Sequence, residues 1–518
     1  MTMAKPRVAY DNLIRRAREL GVLGSCSSLL SWDEQTYMPE GGAEHRGEQL
    51  AMLAGLFHER ATDPKLGDML AVLESNAGDF GPESPESVNI REMRRSYERS
   101  TCLPRRLVEE LARTTSLAQK EWISARQGSS FETFRPWLER IVTLKREEGQ
   151  ALKTLLPTAD SANNDDATYD ALLDEYEPGA RSGKLIAIFR SLREQLVPLV
   201  QSVGEVCARR AHETAPLRNI LQRRYPIDRQ RTFAETVASS LGFDFRRGRL
   251  DVTAHPFCTG IAPGDTRITT RFDENRFDQA LFGVIHEVGH ALYEQGLPHQ
   301  AFGTPVGEAT SLGVHESQSR LWENFVAHGG AFWTYWFPIA RGFFHEALWD
   351  VSLDEFLAAI NRVEPSLIRT EADEVTYDLH IIARFELERA LLKGDLTAAD
   401  LPGAWSEIYN ELLGIRPAND TDGCLQDVHW SGGLFGYFPT YTLGNIYAAQ
   451  LYEKAQADQP DLEADFARGN SQGLLTWLRD RIHRHGRCYR AEHLIEKATG
   501  NPPDGRFLIA FLRRKYRV

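Results

Sequence analysis

The segment His286-Glu287-Val288-Gly289-His290 constrains this chain more than any other. Residues 273–295 carry apolar side chains at helical spacing, so the segment is predicted to lie inside a helix that ends near Gly296, with Pro298 beyond it. On a helix, residues four apart sit one above the other. His286 and His290 therefore project from the same face, and Glu287 stands beside them. Two imidazoles so placed can grip one metal ion, and a carboxylate off the ligand axis suits a base that takes the proton of an attacking water. With 15 histidines in the chain, an HExxH by chance is expected in only about a few per cent of such sequences. Two buried neutral histidines would also need hydrogen-bond partners, which the neighbours Leu281, Phe282, Val284 and Ile285 cannot supply.

A catalytic zinc requires a third protein ligand and one open position for water. The pattern HExxHxxGxxH does not supply it, because Tyr293 stands at its glycine and Gly296 at its third histidine. A downstream carboxylate on a second, crossing helix is expected instead, and Glu308, Glu316 and Glu323 are the candidates. Glu316 lies in His315-Glu316-Ser317-Gln318-Ser319-Arg320, at the start of a helix-like run with Leu321, Trp322 and Phe325, but charge alone does not choose it over Glu308.

The remainder of the chain is mostly helical in texture. Residues 43–62, 104–126, 132–156, 183–212, 230–241 and 352–361 read as amphipathic or buried helices. The N-terminal residues read as a further amphipathic helix with Tyr10, Leu13 and Ile14 on its apolar side. One stretch differs: from Gly248 to Asp273, Val, Ile, Thr and Phe surround a Pro263-Gly264 turn, which predicts a small antiparallel sheet of two or three strands leading into the metal helix. The polar segment Ser161–Thr168 reads as an exposed loop, and residues 1–518 as a single catalytic domain without an independent boundary.

A formal charge of −13 argues against nucleic acid as the main partner, since phosphate contacts need clustered Lys and Arg. The N-terminal segment has no apolar signal region, and no stretch has the apolar length to span a bilayer, so no membrane partner is expected. Six scattered cysteines without a CxxC pair predict reduced thiols and a cytoplasmic protein.

Several ordered motifs resemble the carboxypeptidase Taq family of metallocarboxypeptidases across nearly the whole chain. They are Trp32-Asp33 with Met38-Pro39, YDALLDEYEPG at 169–179, Tyr225-Pro226-Ile227-Asp228, His255-Pro256-Phe257 and Asp265-Thr266-Arg267-Ile268-Thr269. After HEVGH follow His315–Gln318 (HESQ), Ile368–Asp373 (IRTEAD) and Gly423–Trp430 (GCLQDVHW). The resemblance implies a mainly helical, two-lobed fold with a deep central groove, similar to angiotensin-converting enzyme and neurolysin, assembled as a homodimer. It implies one zinc per chain, with Co2+ or Mn2+ able to take its place, held by His286, His290 and, as the Glu of the HES motif, Glu316. It also implies release of single residues from the free C-termini of peptides, with broad preference and poor action on C-terminal proline.

A carboxypeptidase must recognise a terminal carboxylate, which calls for Arg at a fixed distance from the metal. Arg369 and Arg267 are the candidates, each weighed against a structural salt bridge with Asp373 or Asp265. Donors to the developing oxyanion are expected in His429 and Tyr441, whose segment resembles the His and Tyr segment of angiotensin-converting enzyme, with Tyr377 and Tyr437 as weaker alternatives. His255 and Gln426 are expected to line or brace the substrate groove, and Tyr377 is placed with them. The expected reaction is metal-assisted amide hydrolysis with Glu287 as general base. Its rivals are an endopeptidase or dipeptidyl carboxypeptidase on the same scaffold, an aminopeptidase, which the lack of a GxMEN-type motif disfavours, and a zinc-stabilised binding protein, which Glu287 disfavours.

Overall fold

A computed structural model describes residues 4–76, 78, 80–157, 164–213 and 220–518 of the chain. The elements used below, in chain order, are α1 (Ala4–Thr36), α2 (Ala43–Ala61), α3 (Arg105–Gly128), α4 (Phe131–Leu152), α5 (Ala167–Tyr176), α6 (Ser182–Glu213), α7 (Ile227–Leu241), β1 (Gly248–Val252), β2 (Cys258–Ala262), β3 (Asp265–Thr270), α8 (Phe277–Gly296), α9 (Leu312–Arg320), α10 (Leu353–Ile360), α11 (Tyr377–Lys393) and α12 (Pro439–Asp458). Each helix expected from apolar spacing is present within a few residues of its expected ends. The fold is mainly α with one small sheet, as expected.

The chain divides into two compact units, each assembled from separated segments. The first comprises Met1–Ser100, Thr214–Ile360 and Tyr447–Pro503, and the second Thr101–Glu213, Asn361–Ile446 and Asp504–Val518.

In the first unit, α8 is buried nearly all round, with Leu281, Val284, Ile285, Val288 and Leu292 each at most 2% exposed. Such a helix belongs in the centre of a core, and its position follows from its composition. Its first residue, Phe277, stacks on Tyr225 of the YPID motif (4.9 Å between ring centroids) and meets Phe344 edge-on at 5.1 Å. Its last turn ends at Gly296, after which Leu297 is extended and Pro298 prevents continuation.

The sheet corrects one expectation. Its strand order is β1-β3-β2; β2 is antiparallel to β3, but β1 runs parallel to β3, with Leu250 opposite Ile268. The Pro263-Gly264 turn, with Gly264 at φ +88°, forces β2 against one edge of β3. Only the other edge remains for β1, which enters in the direction of β3. Alternation of apolar residues carries no information on the direction of strands that pair out of sequence order.

In the second unit the loop expected over Ser161–Thr168 is only partly one. Residues 161–163 lie outside the described residues, while Ala167 and Thr168 already belong to α5. Asp166 just before them is buried, because its carboxylate pairs with Arg389 at 2.7 Å and Lys393 at 3.1 Å on α11. The YDALLDEYEPG motif has a structural task there. Asp170 accepts the backbone N–H of Ser182 (2.6 Å) and Asp174 that of Gly179 (2.9 Å), which ties the end of α5 to the start of α6.

The feature that sets the site is the crossing of α8 and α9. A Cβ on Gly289 would stand 2.5 Å from the carbonyl oxygen of Gln318 and 2.5 Å from the Cα of Ser319, so only glycine permits the two backbones to touch. Gly289→Ala is therefore expected to destabilise the metal-free protein by about 1–3 kcal/mol through overpacking. In the same helix, Gly283→Ala would place its methyl 3.6 Å from Thr270 Oγ1 and is expected to be neutral or to stabilise by up to ~1 kcal/mol. Denaturant unfolding of the two variants checks this; indistinguishable midpoints would contradict the close crossing.

Candidate functional site

Helix α9 is started by Ser311, whose hydroxyl accepts the N–H of Val314 at 3.1 Å. The residue before it, Thr310, donates its N–H to the hydroxyl of Tyr293 on α8 (3.2 Å) and its own hydroxyl to the carbonyl of Gly486 (2.6 Å). These bonds fix where α9 begins, and the crossing at Gly289 fixes how close it lies. The result brings Glu316 to the two histidines. Its Oε2 is 3.6 Å from His286 Nε2 and 3.3 Å from His290 Nε2, and the three donor atoms all fall within 4.8 Å of one another.

This donor set fits a divalent metal on two grounds. A tetrahedral ion with ligand bonds of about 2.0–2.2 Å has edges of roughly 3.3–3.6 Å, which the two carboxylate–imidazole separations match. Both imidazoles also have Nδ1 engaged outward, so that Nε2 faces Glu316: His286 Nδ1 is 2.7 Å from Glu323 Oε2, and His290 Nδ1 is 2.6 Å from His315 Nδ1. Of the three glutamates left open by the sequence, Glu316 joins the histidines and Glu323 backs one of them. Glu308 instead pairs with Arg487 at 2.9 Å. Glu323 lies on a stretch of π-helix, Leu321–Ala327, that continues α9 with a wider turn, a form often found at functional sites.

Arg320 braces both carboxylates. Its Nε donates to Glu316 Oε1 at 2.8 Å and its Nη1 to Glu323 Oε2 at 3.4 Å, while Ser319 Oγ donates to Glu316 Oε2 at 3.0 Å. The four ionisable groups at the centre are thereby driven apart. Burial would raise Glu316, but His286 and Arg320 outweigh it and hold it well below the usual carboxylate range. The same balance takes Glu323 to about 2. Burial would lower His286, yet Glu316 and Glu323 lift it to about 9. Burial, helped by His315, takes His290 down to about 4. Glu287 is different. It is buried and enters no hydrogen bond or ion pair among the described residues, so burial raises it to about 7.

The remaining expected residues, apart from Arg267 and His255, gather in the second unit. The Arg369 guanidinium is buried: Nε and Nη2 donate to Asp427 Oδ1 at 3.0 and 2.8 Å, Nη1 donates to the Tyr377 hydroxyl at 2.9 Å, and the group lies 5.0 Å from the Tyr441 ring. Its carboxylate partner is thus Asp427, not Asp373, which instead accepts the N–H groups of Glu364, Val375 and Thr376. Gln426 braces this cluster. Its Oε1 accepts from Arg369 N and Arg384 Nη2, and its Nε2 donates to the carbonyls of Leu367, Asp422 and Gly423. Asp427 is held far below the usual range by Arg369 and Arg384 against the effect of burial. His429 lies 3.2 Å from the Tyr441 hydroxyl through Nε2, and burial lowers it to about 4, so it is a neutral imidazole near pH 7. Its Nδ1 is buried without a hydrogen-bond partner among the described residues.

In the first unit, Arg267 pairs with Asp265 through two bonds of 2.8 Å, as weighed from the sequence, and lies over the Trp32 ring at 4.1 Å. His255 is exposed in the loop between β1 and β2. Sequence reasoning did not single out Asp427, Arg384 and Arg320 as parts of a site, nor Glu294 and His315 beyond its place in HESQ. Glu294 alone carried a readable signal, since 286, 290 and 294 form one stripe of α8.

Comparison with known proteins identifies the family. The profile of the carboxypeptidase Taq (M32) metallopeptidases matches residues 12–516. Thermostable carboxypeptidase 1 of Thermus thermophilus is 48% identical over 511 residues, covering 99% of both chains. Carboxypeptidase 1 of Bacillus subtilis is 36% identical over 489 residues, covering 94% of each. The crystal structure of an M32 carboxypeptidase from Deinococcus radiodurans superposes with a TM-score of 0.90 at 39% identity, over 98% of this chain and 99% of the other. With a two-histidine, one-glutamate donor set at its centre, this chain belongs to the carboxypeptidase Taq (M32) family of metallopeptidases.

Proposed function

We propose that this metallocarboxypeptidase is a zinc enzyme, with one ion per chain held by His286, His290 and Glu316, and that it removes single residues from the free C-termini of peptides with broad specificity. The observation that carries the reading is the contrast at the centre. Two imidazoles and one ionised carboxylate converge, while Glu287 beside them is buried, unpaired and raised to about 7. An ion held there would supply Lewis acidity to the peptide carbonyl and to the attacking water.

Glu287 takes the proton of that water at its carboxylate and passes it to the departing amine, a task for which a pKa near the working pH is best. Neutral His429 and the hydroxyl of Tyr441 are the proposed donors to the carbonyl oxygen as it becomes negative. Arg267 and Arg369 are the proposed anchors of the terminal carboxylate, with Tyr377, Gln426 and His255 as further substrate-side residues. The whole chain acts as one catalytic domain, supported by a family match from residue 12 to 516. The homodimer rests on the resemblance and the cytoplasmic location on the six scattered cysteines; no helix among the described residues is long and apolar enough to cross a membrane.

The deciding experiment is mass spectrometry of one peptide offered with a free and with an amidated C-terminus to the zinc-loaded protein. Stepwise loss of single residues from the free form alone is expected; equal internal cleavage of both forms would replace this reading with an endopeptidase. Glu287→Gln should retain one zinc per chain by elemental analysis and lose about 10²–10⁴-fold in kcat.

The two arginines separate by their partners. Loss of a charge-assisted bond to the substrate in Arg267→Gln should raise KM for free C-termini by about 10–100-fold. Arg369→Gln should also cost about 1.5–3 kcal/mol of stability, because it removes one of the two buried guanidiniums paired with Asp427 and leaves Arg384 as the other. Steady-state kinetics together with denaturant unfolding test both; unchanged KM in both variants would remove the arginine anchor.

A further inference from the structure

We propose that His315 and Glu294 are positioning residues that hold His290 in the one tautomer able to bind a metal. The inference rests on the zinc-peptidase reading above. His290 turns Nε2 toward Glu316, so a metal-binding lone pair on Nε2 requires its proton to sit on Nδ1. That Nδ1 lies 2.6 Å from Nδ1 of His315, and His315 Nε2 lies 2.9 Å from Glu294 Oε1. An ionised carboxylate only accepts hydrogen bonds. With a carboxylate as acceptor at Nε2, the singly protonated form of His315 carries its proton there, which leaves a lone pair on His315 Nδ1 to accept from His290. The tautomers are set from the outside inward.

The two ends of this relay come from one helix. His290 and Glu294 lie one turn apart on α8, and the His315 ring from α9 bridges them, its centroid 4.6 Å from that of His290. Glu294 is given its place by a gap in edge strand β2, because a Cβ on Gly260 would stand 2.5 Å from Glu294 Oε2. Glu294 and Gly260 share the wall of a cavity of about 590 Å³ that Leu20, Phe57, Met93 and Phe302 also line. The outer carboxylate of the relay thus faces a cavity. His286 has no such intermediary, since Glu323 backs it directly at 2.7 Å. The two zinc histidines are held by different means, one by a carboxylate and one by an imidazole with a carboxylate behind it.

The test uses the full-length protein in four variants. His315→Phe removes the relay. In Glu294→Gln the amide can turn and donate to His315 Nε2, which moves the His315 proton to Nδ1, against that of His290. Glu294→Asp keeps an acceptor-only group, and Gly260→Ala displaces the Glu294 carboxylate while changing no relay residue. Zinc affinity is measured by competition with a chromogenic chelator, the ligand field by the visible absorption of Co2+-loaded protein, and folding by denaturant unfolding of the metal-free protein.

His315→Phe should weaken zinc binding by about 10–100-fold, and Glu294→Gln and Gly260→Ala by roughly tenfold. Each should alter the cobalt bands, leave the metal-free midpoint in place, and exceed the loss in Glu294→Asp. Should His315→Phe not fold, the Gln-against-Asp comparison at 294 still decides. Affinities within about twofold of the unaltered protein in the folded variants overturn the relay and leave the zinc reading intact. Losses matched by equal losses of metal-free stability also overturn it, because they mark a structural role only. An unaltered protein that binds neither zinc nor cobalt overturns both.

Discussion

The contact between the backbones of α8 and α9 at Gly289 decides the rest of the first unit. A side chain there would hold the helices apart, and Glu316 reaches His286 and His290 only because the carbonyl of Gln318 and the Cα of Ser319 lie directly against the glycine. Everything that acts on the histidines from α9 and its continuation follows from that distance: Glu316 between them, Glu323 behind His286 and His315 behind His290. The arrangement concentrates the carboxylates Glu287, Glu316 and Glu323 in a buried space. Like charges so placed repel strongly where the local dielectric is low. The Arg320 guanidinium and the lifted imidazole of His286 offset part of that repulsion. The site is thereby biased toward accepting one more positive charge.

The second unit solves the opposite problem. Arg369 and Arg384 are both buried, and one carboxylate, Asp427, receives them from two sides, with Gln426, the carbonyl of His380 and the hydroxyls of Tyr377 and Tyr409 accepting from their other nitrogens. A buried ion pair contributes little net stability against an apolar replacement, but removing one partner is costly. Its value here is placement: the network rigidly fixes Tyr377 and lays the Arg369 guanidinium against the face of Tyr441, whose hydroxyl meets His429. His429 is kept neutral by burial, with two guanidiniums nearby reinforcing the effect against the pull of Asp427.

How much of this was legible depends on the distance over which each signal acts. The helix carrying HEVGH, its end at Gly296 and the pairing of its histidines are local consequences of period and punctuation, and they stand in the structure as the residues imply. The small sheet was legible as strands but not in direction, because β1 pairs with β3 and not with β2, its neighbour in sequence. On the residues alone the third donor stayed open among Glu308, Glu316 and Glu323, and only the family resemblance pointed to Glu316, since the crossing of two helices decides it and no residue count encodes that crossing. Its cause, Gly289, was in plain view inside the motif. The salt bridge weighed for Arg369 was with the near Asp373, whereas its partner is the distant Asp427, a contact that only the folding back of the chain creates. Polar residues show their type in a sequence and their partner only in the fold.

Four glutamates on two crossing segments show what the fold adds to composition. Glu287, Glu294, Glu316 and Glu323 are the same chemical group. Glu316 and Glu323 face cations and are held strongly ionised. Glu294 accepts a hydrogen bond from an imidazole at the wall of a cavity. Of the four, Glu287 alone is buried without a partner among the described residues, and burial raises it to about 7. A carboxylate so raised can take a proton and return it, whereas one locked to arginine can only hold its charge. The proposed division into ligand, brace and base thus rests on what each side chain is denied as much as on what it touches. The isolation of Glu287 is the feature of this site that a purely structural metal centre would have no reason to keep.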